Sequence, residues 1–357
     1  MFFVFQATLL GCGTPPTELI DTVVTEPDTD TTPPGTLDPT GDETGTPPTD
    51  TSSPTDTGTE TGTDTDTDTD PPTPTTTPID CSYLPPAPLA YDELFGWGTA
   101  EDFDFDGEGF HVSVRETNLI RKDQIGTFEI ITPSISNFTS GTRVMVTGEI
   151  VVANSNDNEV LKIDPVSGAS EVMAAGISYP NGVEVSADGK WIFVAGNGAG
   201  NVRQLDAITG EQFPVADGIP GANGLVLNVN EDAIFVTTCA GEGVWKIARI
   251  DETNWEAPTV FWHGSSPFLC IDGINVDACD NIYFTEYIAG TVRRITPDGL
   301  SPPDIVAELP SQWIPNMRWG VGVGGWDPDL LYVSDRIDGR LFAIHTLIPG
   351  KKHVLAP

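Results

Sequence analysis

Six short apolar runs rich in β-branched and aromatic residues recur along the chain: His111-Val112-Ser113-Val114, Ile150-Val151-Val152-Ala153, Trp191-Ile192-Phe193-Val194, Ala233-Ile234-Phe235-Val236, Asn281-Ile282-Tyr283-Phe284 and Leu330-Leu331-Tyr332-Val333. Matching positions lie about 40 to 49 residues apart, the period of a propeller blade. Each run follows an apolar strand and a turn, and most precede a third strand, such as Glu159-Val160-Leu161-Lys162-Ile163 or Asn201-Val202-Arg203-Gln204-Leu205. No amphipathic helical stretch of ten residues or more interrupts them. The pattern predicts an all-β chain folded as a six-bladed β-propeller, in which a closed ring lets each blade cover its neighbour. A parallel solenoid is the competitor, with shorter and more regular coils than these.

Composition divides the chain. Residues 13–80 are dominated by Thr, Pro, Asp and Gly, carry 16 acidic residues and no basic one, and culminate in a run of Thr-Asp repeats up to Asp70. Such a tract lacks the apolar surface that offsets chain entropy, so it is read as a disordered acidic linker, with the propeller spanning 81–357. Net charge is −37, and the −16 of the linker leaves about −21 for the remainder. Nucleic acids and anionic lipid surfaces are therefore excluded as partners, whereas a divalent cation would be attracted.

Residues 1–12 form a short apolar segment ending in Leu9-Leu10-Gly11-Cys12, which resembles a bacterial lipobox. The resemblance implies cleavage after Gly11, a lipid anchor on Cys12, and a monomer in the bacterial cell envelope or outside it, touching membrane only through that anchor. No Lys or Arg precedes the apolar stretch, in departure from an ordinary export signal. Cys81, Cys239, Cys270 and Cys279 remain, and an exported chain permits three pairings. The blade reading puts Cys239 after one strand and Cys270 before the next blade's first strand, on one face. It selects that pair, with four buried thiols as the alternative.

In a propeller the first strand of each blade lines the central channel, so residues at the turn entering that strand converge on one mouth. Those turns read Glu101-Asp102-Phe103-Asp104, Pro180-Asn181-Gly182-Val183, Ala222-Asn223-Gly224-Leu225 and Ile271-Asp272-Gly273-Ile274. Glu101, Asn181, Asn223 and Asp272 thus offer two carboxylates and two amides, oxygen donors of the kind calcium prefers. Taken singly, each Asn-Gly or Asp-Gly pair also reads as an ordinary turn.

On Pro180-Asn181-Gly182-Val183-Glu184-Val185-Ser186-Ala187-Asp188-Gly189-Lys190, Ala222-Asn223-Gly224-Leu225 and Asp272-Gly273-Ile274-Asn275-Val276-Asp277, the chain resembles the gluconolactonase and regucalcin (SGL) family of six-bladed propellers from about Tyr91 to Ile348. The resemblance implies a divalent metal, calcium first and zinc, magnesium or manganese otherwise. It would be held by Glu101, Asn223 and Asp272, with Asn181 beside the substrate and Asp272 as the catalytic acid/base for a small lactone or ester. Two departures stand out: Gly-Pro does not follow Glu101, and Ser178-Tyr179 stands where sugar lactonases place an arginine. One blade, from Asn281 to Gly299, also looks like that of streptogramin lyases. Trp262, His263, Trp313, Trp319 and Trp326 are candidates to line a pocket, with blade packing the favoured role for Trp319 and Trp326. The four histidines lack metal spacing, and Ser265-Ser266 lacks a nucleophile context. Two function classes follow: a metal-dependent lactonase or esterase, and a non-catalytic propeller lipoprotein whose mouth serves as a binding module.

Overall fold

A computed structural model describes residues 78–136, 138–239, 243–264 and 270–352. Residues 1–12 with Cys12, expected to be a signal segment, nearly all of the expected linker, Ser265, Ser266 and His353 lie outside the described residues. From Pro78 onward the chain is one compact unit of 24 strands in six four-stranded antiparallel sheets, with no helix among the described residues. It is a six-bladed β-propeller.

In blades one to five the four strands follow in chain order from the channel outward, so the predicted apolar runs are the second strands. The inner strands are Phe103–Phe105, Thr142–Val144, Pro180–Val185, Ala222–Leu227 and Ile271–Val276. Blade six takes its inner three strands, Met317–Trp319, Leu330–Ser334 and Leu341–His345, from the end of the chain and its outer strand, Tyr91–Leu94, from the beginning. Tyr91 pairs with Ile344 and Leu94 with Leu341, so the start of the domain closes the ring and leaves no unpaired edge on the last strand.

The core consists of six apolar clusters, each spanning two neighbouring blades. Phe193 of blade three packs with Leu225 and Ile234 of blade four, and Phe103 and Phe105 of blade one pack with Trp326 and Tyr332 of blade six. Trp326 is fully buried and Trp319 lies edge-on to Tyr283, so both are blade-packing aromatics. His111 is sealed among Phe103, Trp97 and Trp326, and burial pushes its pKa down to about 3, which leaves it a neutral core residue.

The Asn-Gly and Asp-Gly pairs are not turns. Asn181-Gly182, Asn223-Gly224 and Asp272-Gly273 lie inside their inner strands, at a register shift against the second strand. A Cβ on Gly182 would stand 2.4 Å from the Asn223 carbonyl oxygen, and one on Gly224 would stand 2.5 Å from that of Asp272. One on Gly273 would meet the Asn316 Cα at 2.6 Å, and one on Gly141 the Asn181 carbonyl oxygen at 2.4 Å. Glycine is required because backbones of successive inner strands touch around the channel, a demand of close approach and not of turn conformation.

Candidate metal and substrate site at the channel mouth

Each inner strand begins at the mouth, and in blades three, four and five a register shift near that start falls at Asn181, Asn223 and Asp272. Glu101, Asn181, Asn223 and Asp272 are all buried there, at blades one, three, four and five. Their polar atoms are conspicuously unsatisfied. Asp272 Oδ2, Glu101 Oε1, both amide atoms of Asn223 and Nδ2 of Asn181 have no hydrogen-bond partner. Buried polar groups without partners are rare and costly, so several orphaned atoms in one ring point to a ligand that completes them.

The electrostatics place three of the four side chains together. Burial raises Asp272 well above the usual carboxylate range; the neighbouring Glu101 charge adds to this and Arg336 opposes it. Burial likewise pushes Glu101 up to about 7, against the pull of Arg336. The Asn223 amide lies close enough to Asp272 to favour its charged form, though without an aligned hydrogen bond. Asn181 stands on the inner strand before that of Asn223.

Arg336 is the mouth residue that sequence reasoning missed. It follows the second strand of blade six, ion-pairs with Glu101 Oε2 and reaches the Tyr287 hydroxyl at 3.4 Å. Its guanidinium lies 5.6 Å from the Phe138 ring centroid. Phe138 stacks on Tyr179 and Tyr287 stacks on Trp313, so two aromatic pairs flank the arginine. Tyr179 and Trp313 both hold left-handed backbone, with φ of 50° and 65°, strain of a kind that clusters at ligand sites. The available signal was positional: second strands run toward the mouth, so the residue or two after each of them joins the rim. Trp313 lies at this rim as expected, whereas Trp262 packs on Phe284 between blades four and five and His263 Nδ1 lies 2.8 Å from the Gly264 carbonyl.

Below the mouth a second polar layer spans the channel. Asp102 accepts hydrogen bonds from the Phe103 and Thr142 amides, from Arg143 Nη1 and from Arg318 Nη2. Glu184 links Arg143 to Lys351. With its acceptors satisfied, Asp102 is a brace between blades one, two and six and not a free ligand. Cys239 and Cys270 are joined by a disulfide on the mouth side, two residues before Asp272, and Cys81 is joined to Cys279 on the opposite face.

The donor set suits a hard divalent cation: Glu101, Asn223 and Asp272 each keep a buried oxygen without a hydrogen-bond partner, and Glu101 and Asn223 both act on Asp272. It differs from an all-carboxylate site, since no three His, Cys, Asp or Glu side chains cluster as metal ligands among the described residues.

No protein-family model matches the chain, and no curated protein matches it. Solved structures do. A gluconolactonase from Xanthomonas campestris superposes with a TM-score of 0.57 at 16% identity, covering 72% of this chain and 89% of the other. A calcium-binding protein, regucalcin, from Agrobacterium tumefaciens gives 0.57 at 15% identity over 76% of this chain and 95% of its own. An auxiliary nutrient binding protein from Bacteroides thetaiotaomicron gives 0.57 at 13% identity over 71% and 72%. At these identities the likeness is one of fold, that of the gluconolactonase and regucalcin propellers.

Proposed function

We propose that the protein is an extracytoplasmic metal-dependent hydrolase of lactones or related esters, with calcium the metal best suited to its oxygen donors. The observation that supports this reading is that Glu101, Asn223 and Asp272, all buried at the channel mouth, each keep an oxygen without a hydrogen-bond partner. Those three residues would hold the ion, which when bound supplies positive charge to the ester carbonyl. Asp272, a carboxylate buried at the mouth with one oxygen unpartnered, accepts the proton of the attacking water. The water oxygen joins the acyl carbon, the ring C–O bond breaks, and the proton passes to the departing alkoxide to give a hydroxy acid. Asn181 contributes an amide at the neighbouring strand start for the substrate. The aromatic pairs Phe138–Tyr179 and Tyr287–Trp313 supply apolar walls, in keeping with a less polar ester than a sugar lactone. In this reading Cys12 carries the lipid that keeps the enzyme at the cell envelope.

A second reading rests on Arg336. Its ion pair with Glu101 occupies one carboxylate oxygen, as would suit a mouth that binds a partner or nutrient without turnover. A lactone hydrolysis screen of the full chain with and without calcium separates the two. The hydrolase reading expects calcium-dependent turnover that Asp272→Ala reduces by at least about a hundredfold. Turnover retained in Asp272→Ala, or absent from the wild type with every lactone class, favours the binding module.

A further inference from the structure

Because inner strands start at the mouth, the turns between third and fourth strands lie on the opposite face. Each carries an exposed aliphatic residue at its tip. Ile125, Val166, Ile208 and Leu300, in blades one, two, three and five, are 93%, 94%, 88% and 84% exposed. They are the only large apolar residues more than four-fifths exposed among the described residues. Ile250 occupies the same turn in blade four, and Leu347 follows the third strand of blade six, at 64% and 66%. Single exposed aliphatics are ordinary, but four at the same place in the turns of four blades on one face are not.

The tips are held rigidly. The amides of Val166 and Ile208 donate to the carboxylates of Asp164 and Asp206 at 2.8 and 3.0 Å, and those of Ile125 and Leu300 donate to Asp123 and Asp298 at 3.1 Å. Hydrogen bonds from Thr127, Ser167, Thr209 and Leu300, together with those of the other tip amides, hold the four carboxyls below their usual pKa, so a rim of negative charge surrounds the tips.

The chain also enters on this face. Ile79 lines a cavity of about 360 Å3 at the lower end of the channel together with Arg143, Glu184 and Lys351, and Cys81 is bonded to Cys279 in a lower turn of blade five. The first described residues, from Pro78, therefore lie on the side that bears the aliphatic tips.

We propose that this face rests on a phospholipid bilayer, the four aliphatic tips entering its interfacial layer while the mouth looks away from the membrane. Surface binding of this kind scales with the apolar area inserted. The acidic rim selects an electrically neutral, zwitterionic lipid surface over an anionic one. The placement is independent of any acyl group and of the chemistry at the mouth.

The test is co-sedimentation of the full chain, made as Cys12→Ser so that no acyl group contributes, with phosphatidylcholine vesicles. The unmodified ring is expected to bind. The combined Ile125→Ser, Val166→Ser, Ile208→Ser and Leu300→Ser variant should lose binding by roughly tenfold or more at an unchanged melting temperature. Ile288→Ser with Ile337→Ser, on the mouth side, should bind as before. Failure of the parent to sediment, undiminished binding by the ring variant, or stronger binding to phosphatidylglycerol vesicles would overturn the proposal. So would self-association of the parent that the ring variant abolishes, which would assign the face to a second copy of the chain.

Discussion

Glu101 is the residue on which the mouth's electrostatics turn. It is sealed in the channel with one oxygen on Arg336 and the other unpartnered, and its pKa stands at about 7 where a free glutamate has 4.5. The native state therefore holds this proton more tightly than the unfolded chain does. In chelator, the contribution of Glu101 to stability is most favourable below the unfolded value and is lost as pH rises from about 4.5 to about 7. Asp272, also raised, acts in the same direction. Melting temperatures in EDTA between pH 5 and pH 8 test this: the wild type should decline relative to Glu101→Gln across that interval, and a difference that stays constant would refute the shift. At this scale the sequence was informative about donors and silent about their partner. Glu101, Asn223 and Asp272 were legible because each opens a strand at a repeated place in the blade. Arg336 was not, because it sits in a loop whose only regularity is its distance past an apolar run.

At the scale of elements, the second strands were the most legible because they are buried on both sides: Ile150–Asn154 and Ala233–Thr238 are apolar almost throughout. Fourth strands such as Ser170–Ala175 and Thr259–His263 are half exposed and polar in places, so they carry little pattern of their own. The inner strands were recognised, but their Asn-Gly and Asp-Gly pairs also read as turns, since dipeptide preference cannot distinguish a glycine needed for positive φ from one needed for contact. Gly224 tests the contact explanation. An added Cβ would press on the Asp272 carbonyl oxygen and stand 3.0 Å from Thr237 Oγ1, which itself donates a hydrogen bond to the Gly224 carbonyl. Gly224→Ala should destabilise the protein by about 1–3 kcal/mol in urea denaturation, the usual cost of overpacking. Gly148, with φ of 94° and nothing within 4 Å of its Cβ position, provides the comparison for backbone strain alone. If Gly224→Ala costs no more than Gly148→Ala, the inner strands are not in the contact described.

For the molecule as a whole, six interblade clusters and a strand borrowed from the start of the domain make the ring, and this closure could not be read from the sequence. Tyr91–Leu94 has the same short, half-polar pattern as any outer strand, and its partner lies some 250 residues away, at Leu341–His345. Closure fixes the two faces. One gathers carboxylates, amides and Arg336 around the channel mouth, and the other presents aliphatic tips beside Pro78, the first described residue. With a net charge of −37 the molecule draws cations toward it, and the mouth is where buried oxygens are left for one to satisfy. The most direct measurement is a calorimetric titration of calcium into the metal-free full chain at pH 7.5. The account predicts a single saturable site, about one ion per chain, that disappears in Asp272→Ala while the fold remains intact. Absence of saturable binding in the wild type, or an unaltered isotherm in Asp272→Ala, would contradict it.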